Sequence, residues 1–122
     1  MSKDSAGVFV SALLHSSTAA HFLHLSTKSY AEHKALGGFY EDILDLADKY
    51  AEAFQGHYGI IPLSAYIDDF KVQKDAKTYI KGLLQFAKGM RKELPDDPDL
   101  KNIHDEIVGL IAATLYNLER FK

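Results

Sequence analysis

The chain has 122 residues, 47% of them hydrophobic and 25% charged, with a formal net charge of −3. This length suits one domain with one core, and the composition is that of a folded globular protein rather than a disordered one. The absence of cysteine excludes disulfide bonds and thiolate metal sites, and the small negative charge gives no overall attraction to nucleic acid or to an anionic membrane.

The first predicted helix has apolar residues at steps of three and four from Val8 onward. It should end near Leu25, since Ser26 and Thr27 compete for backbone hydrogen bonds. Its beginning lacks the basic segment and apolar run of a signal peptide, and no uninterrupted apolar run approaches the roughly 20 residues of a membrane span. We therefore expect a cytoplasmic protein.

The second predicted helix begins with a recognisable cap. Ser29-Tyr-Ala-Glu32 has the pattern of a capping box, in which the serine oxygen accepts from a backbone amide and the glutamate bonds back to the serine amide. The helix should run from about Tyr30 to Gln55, with Gly56 as its stop.

Two more helices are predicted beyond an irregular segment. Residues 57–70 are apolar but broken by Gly59 and Pro62, which predicts a packed loop with one helical turn after Pro62. The third helix should span about Lys71 to Leu94, and the fourth should begin at Pro98 with Asp97 as its N-cap. None of the four helices can bury its apolar stripe alone. The sequence thus predicts an all-α fold, an antiparallel four-helix bundle of one domain, residues 1–122, with a short apolar connection at Ile60–Phe70.

Histidines and carboxylates on the first two helices suggest a metal site. His21 and His33 each lie six residues from Thr27, so in an antiparallel hairpin both imidazoles would reach the same height. Asp48 and Glu52, four residues apart, share one face of the second helix. Two imidazoles and two carboxylates suit iron, manganese or zinc. His24 lies three residues from His21 and could chelate a metal with it as a helical pair, but we expect it to face solvent or a neighbour instead. His15, His57 and His104 belong to no predicted group.

One chain cannot bring these ligands together. A helix rises about 1.5 Å per residue, so His33 and Asp48 lie roughly 22 Å apart. Two copies of the second helix that cross antiparallel, about a twofold axis near Tyr40 and Glu41, would join the histidine end of one subunit to the carboxylate end of the other. The glycine pair 37–38 would allow the close approach that such a crossing requires.

The stretch HFLHLSTKSYAEHKALGGFYEDILDLADKYAE resembles the signature of the Dps proteins, the mini-ferritins of the ferritin-like superfamily. The shared pattern is a histidine before an aromatic residue, a second histidine twelve positions later and an Asp-x-x-x-Glu pair further along the same helix. The resemblance implies a ferroxidase site shared across a homodimer, with His21 and His33 from one subunit and Asp48 and Glu52 from the other. It also implies ferrous iron as the metal and further assembly into a shell. The chain resembles small ferritin-like proteins of tailed bacteriophages as well, which would place it in the host cytoplasm.

Two positions depart from the Dps pattern. The family has an acidic ligand four residues after its second histidine, where this sequence has Gly37, so a water or Glu41 would have to replace that ligand. Phe22 stands where the family usually has tryptophan. The alternative is a metal-free protein of the same fold that acts as a scaffold or binds another macromolecule.

The third helix is strongly basic. Residues 71–92 contain seven lysines and arginines and one acid, Asp75. Such a stripe can follow the phosphates of a nucleic acid, but it more often faces water or an acidic neighbour. A nucleic acid is therefore a secondary expectation beside self-association, and no membrane partner is expected.

Overall fold

The computed structural model describes residues 3–122, which form four α-helices and two short 3₁₀ turns. The helices are α1 (Lys3–Ser26), α2 (Tyr30–Tyr58), α3 (Ala76–Gly89) and α4 (Pro98–Arg120), and the 3₁₀ turns are Leu63–Ala65 and Met90–Glu93. No strand occurs among these residues. The predicted all-α helical bundle is confirmed.

The helices pack as two antiparallel hairpins, α1 with α2 and α3 with α4, and α2 also packs antiparallel to α4. The pairs that show these directions are Phe9 with Tyr50 and His24 with His33 for α1 and α2, and Lys49 with Glu106 and His57 with Asp99 for α2 and α4. The four apolar stripes meet in one core, whose largest fully buried side chains include Tyr50, Phe9, Phe39, Phe54, Leu13 and Leu36.

A long connection, residues 59–75, joins α2 to α3 and runs along the outside of α1. The Ile67 amide donates to the Ser11 hydroxyl at 2.9 Å, and further on the Phe70 ring meets the rings of His15 and Phe22. The connection therefore runs parallel to α1 and returns the chain to the end of the bundle where α2 began. As a result, α2 and α3 point in the same direction.

The prediction of a short connection is wrong because α3 starts later than its apolar pattern suggests. Asp75 accepts a hydrogen bond from the Thr78 amide at 2.9 Å and caps the helix, so Ala76 is its first residue and not Lys71. At its other end the α-helix stops at Gly89 and one 3₁₀ turn follows. The helical turn predicted after Pro62 is confirmed by Leu63–Ala65.

The end of α2 also differs from the prediction. The helix continues through Gly56 to Tyr58, and Gly59 ends it with φ of +89° while its amide donates to the Gln55 carbonyl. Glycine has no Cβ, so it adopts this positive φ without steric cost. The predicted starts of α2 at Tyr30 and of α4 at Pro98 are both confirmed.

Helix α1 is the one described helix that is long and apolar enough to cross a membrane. More than half of that apolar stretch is buried inside the bundle, against α2, α3 and the connection. Packing against three neighbours accounts for its apolar composition.

Candidate functional site

The turn between α1 and α2 is short and locally determined. Ser29 accepts a hydrogen bond from the Glu32 amide at 3.2 Å, as a capping box requires. The Ser29 amide, however, donates to the Thr27 hydroxyl at 3.1 Å rather than to the Glu32 carboxylate. The connection is thus Thr27–Ser29, and its midpoint is Lys28.

His24 and His33 form a tightly stacked pair across this turn. Their ring centroids are 3.7 Å apart with 17° between the planes. The Nδ1–H of His24 donates to the His33 carbonyl at 2.6 Å, and the Nδ1–H of His33 donates to the His24 carbonyl at 2.9 Å. Because a carbonyl oxygen can only accept, both Nδ1 atoms carry hydrogen, and in the neutral rings each Nε2 keeps a free lone pair.

His21 does not contact His33. Its exposed ring stacks on Tyr40, with centroids 4.0 Å apart and 7° between the planes, and it lies 6.1 Å from the His24 ring. With Lys28 as the midpoint, His33 is level with residues 23 and 24 rather than with His21, and of these two it is the His24 ring that meets it. The three imidazoles therefore form one cluster with His24 in its centre, whereas the sequence predicts a grouping of His24 with His21 only as the alternative to a ring that faces solvent or a neighbour.

His24 also explains Gly37. A Cβ built on Gly37 would lie 3.0 Å from His24 Cε1, so the imidazole occupies the space of a side chain at position 37. A Cβ on Gly38 would meet nothing within 4 Å. The close approach predicted for the glycine pair is thus made at Gly37 by a ring of the same chain, and only Gly38 remains open to another molecule.

The predicted carboxylate ligands lie further along the same face of α2. Asp48 and Glu52 are exposed, and within residues 3–122 neither makes a hydrogen bond or an ion pair. Glu41 is exposed on that face too, with Leu44 (43% exposed) between it and Asp48. The face is made by residues at steps of three and four, namely Tyr30, His33, Gly37, Glu41, Leu44, Asp48 and Glu52.

Within the described part of one chain, no three histidine, aspartate or glutamate residues are placed to hold a metal ion. The four predicted ligands stay in two groups, imidazoles near the start of α2 and carboxylates near its end. A metal site built from all four requires a second copy of the chain.

A second polar cluster, which the sequence analysis missed, joins the end of α2 to the start of α4. The His57 Nε2–H donates to Asp99 at 3.0 Å, and its Nδ1 lies 3.5 Å from Asp97. The hydrogen bond to Asp99 raises the pKa of His57, and the same bond lowers the pKa of Asp99. Asp97 is the N-cap of α4 by position, but its side chain accepts from the Tyr58 hydroxyl instead of a backbone amide. The cluster ties two helix ends together.

Two buried polar groups lie in the core around Phe9. The His104 Nε2–H donates to the Ala87 carbonyl at 2.8 Å, which leaves its buried Nδ1 without a partner, and the Tyr50 hydroxyl also lacks one. Burial lowers the pKa of His104 and raises that of Tyr50, so both groups are held neutral. Their surroundings are aromatic, since the Phe9 ring contacts both. These groups therefore belong to the core and not to a ligand site.

Comparison with known proteins then places the chain in a family. Residues 24–118 match the family of unknown function DUF5856. The chain belongs to this family. The DUF5856 match includes His24, His33, Asp48 and Glu52, and it begins after His21.

One relative comes from a bacteriophage. Over 98 residues the chain is 32% identical to the "Uncharacterized 14.6 kDa protein in mobD-ri intergenic region" of Enterobacteria phage T4, an alignment that covers 80% of this chain and 75% of that protein. No solved structure matches the chain significantly.

Proposed function

We propose that the protein is a homodimer that binds a divalent transition metal, with ferrous iron as the favoured metal, between the outer faces of two α1–α2 hairpins. The imidazole cluster of one subunit and the carboxylates Asp48 and Glu52 of the other would hold the ion. The observation that carries the proposal is the position of His24, whose ring fills the space of the ligand missing at Gly37. The site would then have a histidine nitrogen as donor where the Dps pattern has a carboxylate.

The chemistry of the donors fits such a metal. A histidine that ligates a metal through one nitrogen commonly donates its other N–H to a carbonyl, and this is how His24 and His33 are held. Imidazole nitrogens and carboxylate oxygens together suit iron, manganese and zinc. Asp48 and Glu52 have no partner within residues 3–122 that a metal would have to displace.

The charges along α2 favour an antiparallel pairing of two copies. Near the start of the helix Glu32 and Lys34 offset each other beside the imidazoles, whereas near its end Asp45, Asp48 and Glu52 outnumber Lys49. A twofold axis near Tyr40 and Glu41 would set each end against its opposite in the partner. Exposed apolar side chains lie on the same surface, since Leu44 is 43% exposed on α2 and Leu14, two helical turns before His21 on α1, is 38% exposed.

Iron would be the substrate of such a site, because ferrous iron gives up one electron to peroxide or oxygen. The residues of the chain would bind and orient the ion, and none of them needs to act as an acid or a base. The long connection supports a ferritin-like assignment, since a bundle with one long crossover is the arrangement of ferritin-like folds.

The test is complementation between two inactive variants. His21→Ala removes an exposed imidazole and Asp48→Asn an exposed carboxylate, and each should abolish ferrous iron binding in an anaerobic titration. In a shared site, an equal mixture of the two variants should regain about a quarter of the wild-type sites, because half of the dimers are mixed and each has one complete site. A site within one subunit, or no site, would give no recovery, and either result contradicts the proposal. Sedimentation of the same samples separates monomer, dimer and shell.

A metal-free interaction protein is the second candidate, favoured by the complete pairing of His24 and His33. Stacking and reciprocal bonds to carbonyls give both rings a structural role, which is to hold α1 and α2 together beside the turn that joins them. Under this alternative the dimer and its melting temperature should be unchanged by a chelator and by added iron. Metal-dependent stabilisation would favour the first proposal.

A further inference from the structure

The side of the molecule formed by α3 carries a row of unpaired lysines. Residues 71–92 have a formal charge of +6, seven basic residues against one acid, so the rest of a chain with net charge −3 carries −9. Five lysines on and beside α3 are all exposed and make no side-chain hydrogen bond or ion pair within the described residues. Three of them lie on the helix, one lies in the connection just before it, and one lies in the 3₁₀ turn after it. This lysine row is Lys74, Lys77, Lys81, Lys88 and Lys92.

A groove with aromatic walls lies directly beside the lysine row. It has a volume of about 450 Å³ and is enclosed by α1, α3 and the connection along α1. Its lining includes the half-buried rings of His15, Phe70, Tyr79 and Phe86, and Gly82 forms part of the α3 wall. We call it the aromatic groove.

The groove and the row are adjacent in sequence as well as in space. Two groove residues, Thr78 and Gly82, directly follow the lysines Lys77 and Lys81 along α3. A sixth lysine, Lys71, lines the groove itself. A molecule that contacts the row therefore has the groove within reach along the length of α3.

We infer that this side of the protein binds single-stranded nucleic acid, with phosphates along the lysine row and one or more bases in the aromatic groove. A track of positive charge beside aromatic rings is how proteins hold single strands without reading their sequence. The bases of a duplex are already paired and stacked, so they could not enter the groove. An acidic protein surface would use the lysines but would have no need of the groove.

One acidic side chain, Asp69, lines the groove and opposes a polyanion. It lies on the connection and not on α3. Removing this charge should change the affinity in the opposite direction to removing a lysine. Asp69→Asn should strengthen the binding of a nucleic acid and should have little effect on the binding of an uncharged ligand.

The experiment is fluorescence anisotropy of a labelled oligothymidylate, measured with the full chain over a range of salt concentrations. Lys77→Gln and Lys81→Gln should weaken binding, and each should reduce the slope of log K against log salt by about 0.7, the value expected for one single-strand phosphate contact. Lys101→Gln, an exposed lysine on α4, is the matched control and should change neither quantity.

The groove is tested separately with Gly82→Leu. A Cβ at Gly82 meets nothing within 4 Å, so the larger side chain can enter the groove without displacing the helix. Affinity should fall on the order of tenfold, as for the loss of one base stacking contact, while the salt slope stays the same. Circular dichroism checks that the variant is folded.

Three results would overturn the inference. In the first, oligothymidylate does not bind at low salt. In the second, Lys101→Gln weakens the binding of oligothymidylate as much as Lys77→Gln does. In the third, a duplex binds more tightly than the single strand, and Gly82→Leu does not change its affinity. None of these involves the α1–α2 ligands, so the result is independent of metal binding.

Discussion

His57 and His104 show how two histidines of one fold respond to pH in opposite directions. His57 is exposed, and its hydrogen bond to Asp99 raises its pKa. His104 is buried, and burial lowers its pKa. A raised pKa stabilises the folded state when the ring is protonated, whereas a lowered pKa destabilises it as the unfolded chain takes up the proton. The pH profile of the wild type combines both effects, so only comparison with a variant separates them.

We expect His57→Gln to lower the free energy of unfolding most at mildly acidic pH. The contribution of His57 is fully present below its unfolded pKa, about 6.5, and is lost as pH rises through its higher folded pKa. The lowered pKa of Asp99 means that the contribution of the carboxylate is present above about 3.8 and lost as pH falls. The difference between wild type and variant should therefore be largest between about pH 4 and 6.5.

Urea unfolding of both proteins across this range measures the difference. The pair is exposed, so the effect should be small and should shrink further in high salt. His104→Gln is the control and should act in the opposite direction. Without the buried ring, the free energy of unfolding should fall less as the solution becomes acidic. A difference for His57→Gln that grows as the solution becomes alkaline would contradict the assignment.

At the scale of elements, the closest approach of the connection to α1 is at Gly7. A Cβ on Gly7 would lie 2.4 Å from the Ala65 carbonyl oxygen and 2.6 Å from the Ala65 Cβ. The opposing atoms are backbone and a short side chain, so they cannot rotate away. Glycine at position 7 is required by packing, although a glycine inside a helix costs stability.

We therefore expect Gly7→Ala to destabilise the fold by about 1–3 kcal/mol, since the connection must move away from α1. Gly109→Ala is the matched control, because a Cβ there meets nothing within 4 Å. That substitution should stabilise α4 by about 0.5–1 kcal/mol through helix propensity. Chemical denaturation of both variants gives the two values. A stabilising Gly7→Ala would mean that the connection does not pack as described.

The elements that were predicted correctly are those whose signals are local. The start of α2 rests on Ser29 and the start of α4 on Pro98, and both signals lie within one turn of the helix they begin. The start of α3 was predicted wrongly although its signal is also local, since Asp75 caps the helix by accepting from the Thr78 amide. Residues 71–74 have a composition compatible with a helix, so the sequence pattern does not distinguish the cap from a position inside the helix.

The candidate site was predicted in part. The turn brings histidines together, but the ring that meets His33 is that of His24 and not that of His21, because the turn is centred on Lys28 rather than on Thr27. His21 and His24 are three residues apart and share one face of α1, so the predicted partner has the right direction but lies about 4.5 Å too far from the turn along the helix. His57 and Asp99 are 42 positions apart and meet only because α2 and α4 are antiparallel, which the sequence pattern around either residue does not contain.

At the scale of the whole molecule, charge is separated between two faces. The outer face of α2 carries imidazoles at one end and acids at the other, whereas the α3 side is almost uniformly basic. The α2 face is complementary to the same face of another copy, whereas the α3 side would repel the α3 side of another copy. The two proposals therefore use different surfaces, and a dimer through α2 would leave the lysine row exposed.

The geometry of the proposed dimer can be tested with one cysteine. The chain has none, so Glu41→Cys, next to the proposed twofold axis, creates a single thiol that faces its own copy in the dimer. A disulfide forms when the two Cα atoms lie about 4.4–6.8 Å apart, which two crossing helices allow only near the axis. Mild oxidation should therefore convert most Glu41→Cys protein to a covalent dimer on a non-reducing gel. Asn102→Cys, exposed on α4, should remain monomeric under the same conditions, and equal cross-linking of the two variants would exclude the proposed axis.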